Sequence, residues 1–163
     1  MYACLAGLVW VSLMLAANPP TDAVKAEKEK LKGTWVLKVV GEGDVRDSKP
    51  DKWPEAWRGL RLTFTADRMI VRSDTLTKEK AVPYKIDPAQ RPKALDIDGG
   101  GLKNEWIYKL RGDTLIVAFP LPLELVAGGT YAERERKFGR PRDFKATKER
   151  AASIIWVLKR VTP

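Results

Sequence analysis

The feature that most restricts the fold is a series of short segments, from Gly33 onward, in which apolar and polar residues alternate. In LRLTFT, residues 60–65, three apolar residues fall on one face and three polar residues fall on the other. A period of two is typical of a half-buried β-strand. The same reasoning predicts eight strands, at residues 34–40, 60–65, 68–73, 81–87, 93–98, 105–110, 114–119 and 153–161.

The links between most of these strands are short, which favours antiparallel hairpins in an all-β barrel or sandwich. The RGD sequence at 111–113 is interpreted as such a hairpin link rather than an adhesion motif. Two connections are long, at 41–59 and 120–151. Connections of that length inside one domain are usually functional lids or mobile segments.

The N-terminal region predicts export. Residues 3–17 are uncharged and almost wholly apolar, too short for a membrane span of about 20 residues but suited to a signal peptide. We therefore expect a signal peptide over residues 1–17, cleaved near residue 17, with an uncleaved anchor as the alternative. The chain would then be periplasmic, in the cell envelope or extracellular, and without cysteine, since Cys4 would be removed.

Residues 18–32 predict a lead-in helix before the domain at 33–163. Thr21 or Asp22 can cap it, its alanines, lysines and glutamates favour it, and Gly33 ends it. Its apolar face is thin and holds only Val24 and Leu31 besides alanines. We expect a helix that leads into the domain rather than one that builds its core.

The composition argues against an enzyme. The chain has no histidine, so it lacks the usual zinc ligand and the usual general base near neutral pH. Only carboxylates such as Glu124 and Glu133 could serve, and they lie on loops. We predict no catalytic residues, no metal and no cofactor.

Several separated motifs resemble an uncharacterised family of small secreted domains that is abundant in planctomycete bacteria. In chain order they are LKGTW (31–35), RPKALDI (91–97), IYKLRGDTLIV (107–117), GRPRDF (139–144) and LKR (158–160). The resemblance implies a lipocalin-like (calycin-like) antiparallel β-barrel of about eight strands and no established activity. This chain departs from the pattern at Trp106, where a glycine is usual, and in a basic insert before GRPRDF.

The first motif also predicts how the barrel closes. In lipocalin-like barrels a Gly-x-Trp opens the first strand, and the indole fills the barrel floor. Gly33 and Trp35 match that motif, and Arg160 (or Lys159) on the last strand is expected to lie over the ring. Such a cation–π contact is worth about 0.5–2 kcal/mol.

The DIDGGG sequence at 96–101 looks like a metal or phosphate loop but fits neither. An EF-hand reading would leave Gly100 and Ile107 at positions that need ligands. The phosphate-loop spacing is also missing. Asp96 and Asp98 are therefore predicted to lie on a solvated outer strand face.

Five aromatic residues are the candidate ligand-binding residues. If the 41–59 connection crosses a barrel mouth, its rings could cap a cavity for a small apolar or amphipathic ligand. The alternative is that the rings simply fill a small barrel. The residues are Trp53, Trp57, Tyr84, Trp106 and Tyr108.

A second hypothesis follows from the charge. The formal net charge is +9, and residues 133–150 are rich in Arg and Lys, which suits an anionic envelope polymer or partner. The alternative is a solvated loop, since acidic residues are interspersed among the basic ones. Nucleic acid is disfavoured because an exported protein rarely meets it, and a monomer is expected. The candidate contacts are Arg134, Arg136, Lys137 and Arg140.

Overall fold

The structure is a computed structural model of the 163-residue chain. It describes residues 21–42, 45–47, 49–98, 103–120, 139–144 and 153–161. The predicted signal peptide at 1–17 and most of the basic segment at 133–150 lie outside these ranges.

The described residues form one helix of regular α type and nine strands in a single antiparallel sheet. The strand β1 pairs with both β3 and β9, so eight strands close into a ring. The short strand β2 is not part of this ring and pairs with the last residues of β1. This confirms the predicted all-β, eight-stranded antiparallel barrel with a short N-terminal helix. The elements are α1 (Thr21–Leu31), β1 (Gly33–Glu42), β2 (Val45–Asp47), β3 (Arg61–Phe64), β4 (Arg68–Arg72), β5 (Lys80–Asp87), β6 (Lys93–Asp98), β7 (Lys103–Arg111), β8 (Thr114–Pro120) and β9 (Ser153–Arg160).

The inward-facing positions of the eight ring strands make the core, as the period of two predicts. Trp35, Leu62, Leu95, Leu115 and Leu158 are each completely buried. An eight-stranded barrel is just wide enough for such side chains to fill. The middle of the barrel is thus packed with side chains, and the two ends differ from it and from each other.

A bulge in β1 changes which side chains face inward. Leu37 pairs with Leu158, but the next pair is Val39 with Val157, so Lys38 is an extra residue. Leu37 and Val40 both pack into the core. Lys38 and Val39 between them therefore lie on the outer side of the barrel.

Two ends of the barrel can be defined from these elements. The helix end comprises α1 and the turns at 65–67, 88–92 and 112–113. The aromatic end is the opposite one, where β3 and β7 begin and β6 and β8 finish. The connection 49–60, which contains two short 3₁₀ helices at Pro50–Lys52 and Glu55–Trp57, contributes Trp57 to the aromatic end.

A short outer strap, residues 139–144, packs against the outside of β7, β8 and β9. Phe144 contacts a small second cluster of buried residues, Ile107, Ala118 and Ile155. Among the described residues no helix has the length and apolar character needed to cross a bilayer.

Candidate functional site at the aromatic end

Four aromatic side chains meet at the aromatic end and form what we call the aromatic cluster: Trp57, Trp106, Phe119 and Trp156. Trp106 stacks on Phe119 with ring centroids 4.5 Å apart. Trp156 meets Phe119 at 4.6 Å and Trp106 at 5.9 Å, in edge-to-face geometry. Trp57 meets Trp156 edge-to-face at 5.6 Å. Both arrangements are ones that aromatic quadrupoles favour.

The register of the last three strands assembles this cluster. Ile107 pairs with Ala118, which places the next inward residues, Trp106 and Phe119, side by side. Trp156 pairs with Val117 on the neighbouring strand. The rings of Phe119 and Trp156 are buried, whereas Trp57 and Trp106 are only partly buried. Trp57 and Trp106 are therefore the members of the cluster that keep some solvent-exposed surface.

One polar atom in the cluster is not satisfied. The indole Nε1 of Trp156 is buried and has no hydrogen-bond partner within the described part of the chain. A buried donor without an acceptor costs about 1–3 kcal/mol, so native proteins rarely leave one. This donor is therefore the feature of the aromatic end that most needs a functional explanation.

The helix end contains another buried tryptophan, and its indole is satisfied. Trp35 is completely buried and its Nε1 donates to the Leu31 carbonyl at 2.7 Å. The Arg160 guanidinium lies over the Trp35 ring, 4.1 Å from its centroid. Arg160 also donates to the carbonyls of Lys30 and Lys32, each at 2.6 Å. These contacts tie the last strand to the end of α1 and close the barrel.

Gly33 allows this closure. Its backbone φ is +114°, a value that residues other than glycine rarely adopt. A Cβ there would lie 3.1 Å from Nη1 of Arg160. The remaining partner of Arg160 is Asp113, whose carboxylate lies 3.3 Å from Nε.

A buried carboxylate also joins α1 to the barrel. Glu27 is 5% exposed and accepts hydrogen bonds from Lys93 and, at 3.3 Å, from Lys30. Burial alone would raise the pKa of Glu27, but the hydrogen bonds and charges of Lys93 and Lys30 outweigh it and lower this pKa below its ordinary value. Glu27 is therefore an ionised anchor for α1.

The five predicted ligand-binding aromatics do not share one mouth, which corrects the sequence-based grouping. Trp57 and Trp106 belong to the aromatic cluster, and Trp53 is buried in the core. Tyr84 and Tyr108 also face inward, from β5 and β7, but they lie nearer the helix end of the barrel.

The two tyrosines are fixed by local contacts. The Tyr84 hydroxyl donates to the Thr65 carbonyl at 2.8 Å, and burial, assisted by Asp67 and Glu29, raises the pKa of Tyr84 to about 12. The Tyr108 hydroxyl donates to Glu27 at 3.5 Å, and burial followed by the Glu27 charge raises the pKa of Tyr108 well above its ordinary value. Tyr108 therefore supports the attachment of α1 through Glu27, and Tyr84 does so through the Lys28 ammonium, which lies 4.8 Å from its ring centroid.

A cleft of about 390 Å³ also lies at the helix end. Its two carboxylates are both paired with cations of the lining, which has one more cation than carboxylate. Glu27 is paired with Lys93 and Lys30, and Asp113 is paired with Arg160. The cleft therefore offers little unbalanced charge to a ligand. It is lined by Glu27, Lys30, Lys93, Leu110, Gly112, Asp113 and Arg160.

The predicted anionic contacts lie mostly outside the described residues: Arg134, Arg136 and Lys137 do, and only Arg140 is described. Arg140 is held against the barrel by Asp96, by Glu105 at 3.6 Å, and by the Trp106 carbonyl at 2.8 Å. Its guanidinium is thus engaged inside the protein, which corrects its assignment as an open docking residue. Asp96 is likewise engaged by the strap and does not simply face solvent.

Sequence reasoning missed two members of the aromatic cluster, Phe119 and Trp156. Each lies at an inward position of a strand that was predicted. Counting six residues outward from the 112–113 turn would have placed Trp106 opposite Phe119. Glu27 was also missed, although it falls between Val24 and Leu31 on the buried face of α1.

Comparison of the chain with protein-family models, curated proteins and solved structures gives no significant match. The resemblance to the secreted planctomycete family therefore stays a prediction. A fold of this kind does not by itself specify a function, which depends on the residues of the site.

Proposed function

We propose that this protein is a non-catalytic binding module for a small amphipathic ligand, held at the aromatic end of the barrel. The apolar part of the ligand packs against the partly exposed rings of Trp57 and Trp106. An oxygen acceptor on the ligand, such as a carbonyl or carboxylate oxygen, takes the hydrogen bond of Trp156 Nε1. Ligand sites of this type combine apolar walls with a few polar groups that fix orientation.

The observation that supports this proposal is the buried Trp156 indole, which lies within a cluster of aromatic rings and has no acceptor among the described residues. If Trp156 only filled the end of the barrel, phenylalanine in its place would make the protein more stable, because it has no N–H group to bury. A ligand oxygen would provide the acceptor and offset the desolvation cost of the N–H group. Bound ligand would also cover the partly exposed faces of Trp57 and Trp106.

The site predicts selectivity for an acceptor group on an otherwise apolar chain. The test is a fluorescence titration of the intact protein with two probes of equal chain length, 2-dodecanone and dodecane. The ketone is expected to change the tryptophan emission and to bind about 5-fold more tightly than the alkane, since one net hydrogen bond is worth about 1 kcal/mol.

The matched variants are Trp156→Phe and Tyr84→Phe. Trp156→Phe keeps an aromatic ring and removes the donor, so it should abolish the preference for the ketone. Tyr84→Phe removes a hydroxyl at the helix end and should leave both affinities unchanged. The absence of any emission change with either probe, or an unchanged preference in Trp156→Phe, would contradict the proposal.

Docking on an anionic envelope component through residues 133–150 stays a second prediction, because three of its four candidate contacts, Arg134, Arg136 and Lys137, lie outside the described residues. Export with cleavage near residue 17 and the monomeric state also remain predictions. A secreted binding module would be consistent with them.

A further inference from the structure

A separate feature, on the outside of the barrel, indicates a second binding surface. Four basic residues, Lys38, Arg61, Arg72 and Lys159, project from four neighbouring strands, β1, β3, β4 and β9, and we call them the basic face. All four are exposed. We infer that the basic face binds a linear acidic polysaccharide, independently of the ligand at the aromatic end.

The strand registers define the face. Arg72 pairs with Arg61, Arg61 pairs with Val36, and Val36 pairs with Lys159. The row therefore crosses three strand-to-strand intervals, about 14 Å at about 4.8 Å each. Lys38 lies two residues beyond Val36 and is exposed on the same outward face. The charges thus follow a line around the barrel instead of gathering at one point.

The arrangement is unfavourable for the protein alone. Arg61 and Arg72 are directly opposite each other on antiparallel strands, and like charges in that position are destabilising. Arg72 has a partner in Glu79 at 3.3 Å, and Lys159 donates to the Thr114 hydroxyl at 2.6 Å. Among the described side chains that point outward from these four strands, none is acidic. Within the described residues, Glu79 offsets only the charge of Arg72, so an external anion would relieve repulsion that this single ion pair leaves.

The surface chemistry favours a polysaccharide over the other common polyanions. The outward apolar residues between the charges are aliphatic and only partly exposed, namely Val36, Val39, Ile70 and Val157. No described outward residue on these strands is aromatic, so the face offers no ring on which unpaired bases could stack. The row also curves around the barrel, which suits a flexible chain better than a flat membrane.

The test compares two variants of the full chain that lose the same charge. The first carries Lys38→Gln, Arg61→Gln and Lys159→Gln. The second, a control, carries Lys25→Gln, Lys85→Gln and Lys109→Gln, which are exposed positions on α1, β5 and β7. Affinity for a fluorescent heparin oligosaccharide and for polygalacturonate is measured at two salt concentrations, since surface electrostatic binding weakens as salt rises.

The basic-face variant is expected to bind about 10-fold more weakly than wild type, with a smaller salt dependence, while the control stays within about 2-fold. The oligosaccharide should also raise the melting temperature of wild type and control but not that of the basic-face variant. An equal loss in the two variants would overturn the inference, because binding would then follow net charge alone. Tighter binding to oligo-dT or to anionic phosphatidylglycerol vesicles than to either polysaccharide would also overturn it.

Discussion

The two ends of the barrel treat a buried tryptophan in opposite ways. At the helix end the Trp35 indole donates to Leu31, and Arg160 covers its ring. At the aromatic end the Trp156 indole is surrounded by rings and has no acceptor among the described residues. The same residue type thus closes the barrel at one end, while at the other its indole donor is left unsatisfied by the part of the chain that the structure describes.

This difference indicates that the two ends contribute to different properties of the protein. The helix end is held by polar groups that hydrogen-bond to one another. Lys93 donates to Glu27, and Arg160 donates to the carbonyls of Lys30 and Lys32. Such an end is built for stability. The aromatic end depends on packing among rings and retains a buried polar group that none of the described residues satisfies. Mutations at the two ends should therefore affect different properties.

The largest expected effect is at Arg160. Arg160→Met removes a cation–π contact worth about 0.5–2 kcal/mol and hydrogen bonds from a charged group worth about 1.5–3 kcal/mol, so the free energy of unfolding should fall by about 2–5 kcal/mol. Urea denaturation followed by circular dichroism measures this. The neighbouring exposed residue offers a control, because Lys159→Met should change stability by less than about 0.5 kcal/mol. Equal effects would mean that the helix end is not held by Arg160.

The second prediction compares the two tryptophans directly. Trp35→Phe and Trp156→Phe remove similar volumes, but the first also leaves the Leu31 carbonyl without its Trp35 donor, whereas the second removes a donor for which the described residues supply no acceptor. Trp35→Phe should therefore cost about 1–3 kcal/mol more than Trp156→Phe. Paired urea unfolding curves check this. A Trp156→Phe variant as unstable as Trp35→Phe would show that the Trp156 donor is satisfied after all.

The third prediction uses one glycine from each end. A Cβ at Gly59 would lie 2.1 Å from the Asp74 carboxylate, and one at Gly33 would lie 3.1 Å from Arg160. Asp74 is exposed and can swing aside, whereas Arg160 is fixed by its contacts. Despite the longer distance, Gly33→Ala should be more destabilising than Gly59→Ala, by about 1 kcal/mol in thermal or urea unfolding. The reverse order would indicate that Arg160 is not rigidly held.

The smallest effect is a dependence on pH confined to the helix end. The folded pKa of Glu27 is lowered, so its ion pairs stabilise the protein above the ordinary value of 4.5 and this stabilisation is lost as pH falls below that value. The stability difference between wild type and Glu27→Gln should therefore shrink in acid. Glu29→Gln, which removes an exposed ion pair with Lys32, should show much less change over the same range. The described residues of the aromatic cluster contain no titrating group, so Trp156→Phe should follow wild type.

Most of the fold could be predicted because its signal is local. Each of the eight ring strands was found within about two residues of its observed bounds, since alternation within a segment reports one buried face. The three-residue β2 was not found, because it lies in a connection rich in glycine and charge. The bulge at Lys38 was also missed, because it becomes apparent only when β1 is set against β9.

The candidate site was harder to predict because it depends on register between strands. Trp57 and Trp106 could be nominated from their residue type, and the pairing of Trp35 with Arg160 follows from motifs at the first and last strands. The grouping of Trp106, Phe119 and Trp156 requires knowledge of which inward residues share a level of the barrel. The engagement of Arg140 by Asp96 joins positions 44 residues apart, beyond what a local pattern can indicate.

The double pairing of β1 has a consequence for how the protein folds. Because β1 bonds to β9 as well as to β3, the ring closes only when residues 153–160 reach residues 35–42. Contacts this distant in sequence slow folding. Until β9 docks, β1 and β8 each present an unpaired edge that can add a strand from another molecule. The Arg160 guanidinium over the Trp35 ring joins β9 to β1, where the ring of strands closes. It therefore stabilises the closed barrel at the strand edges through which a partly folded chain would aggregate.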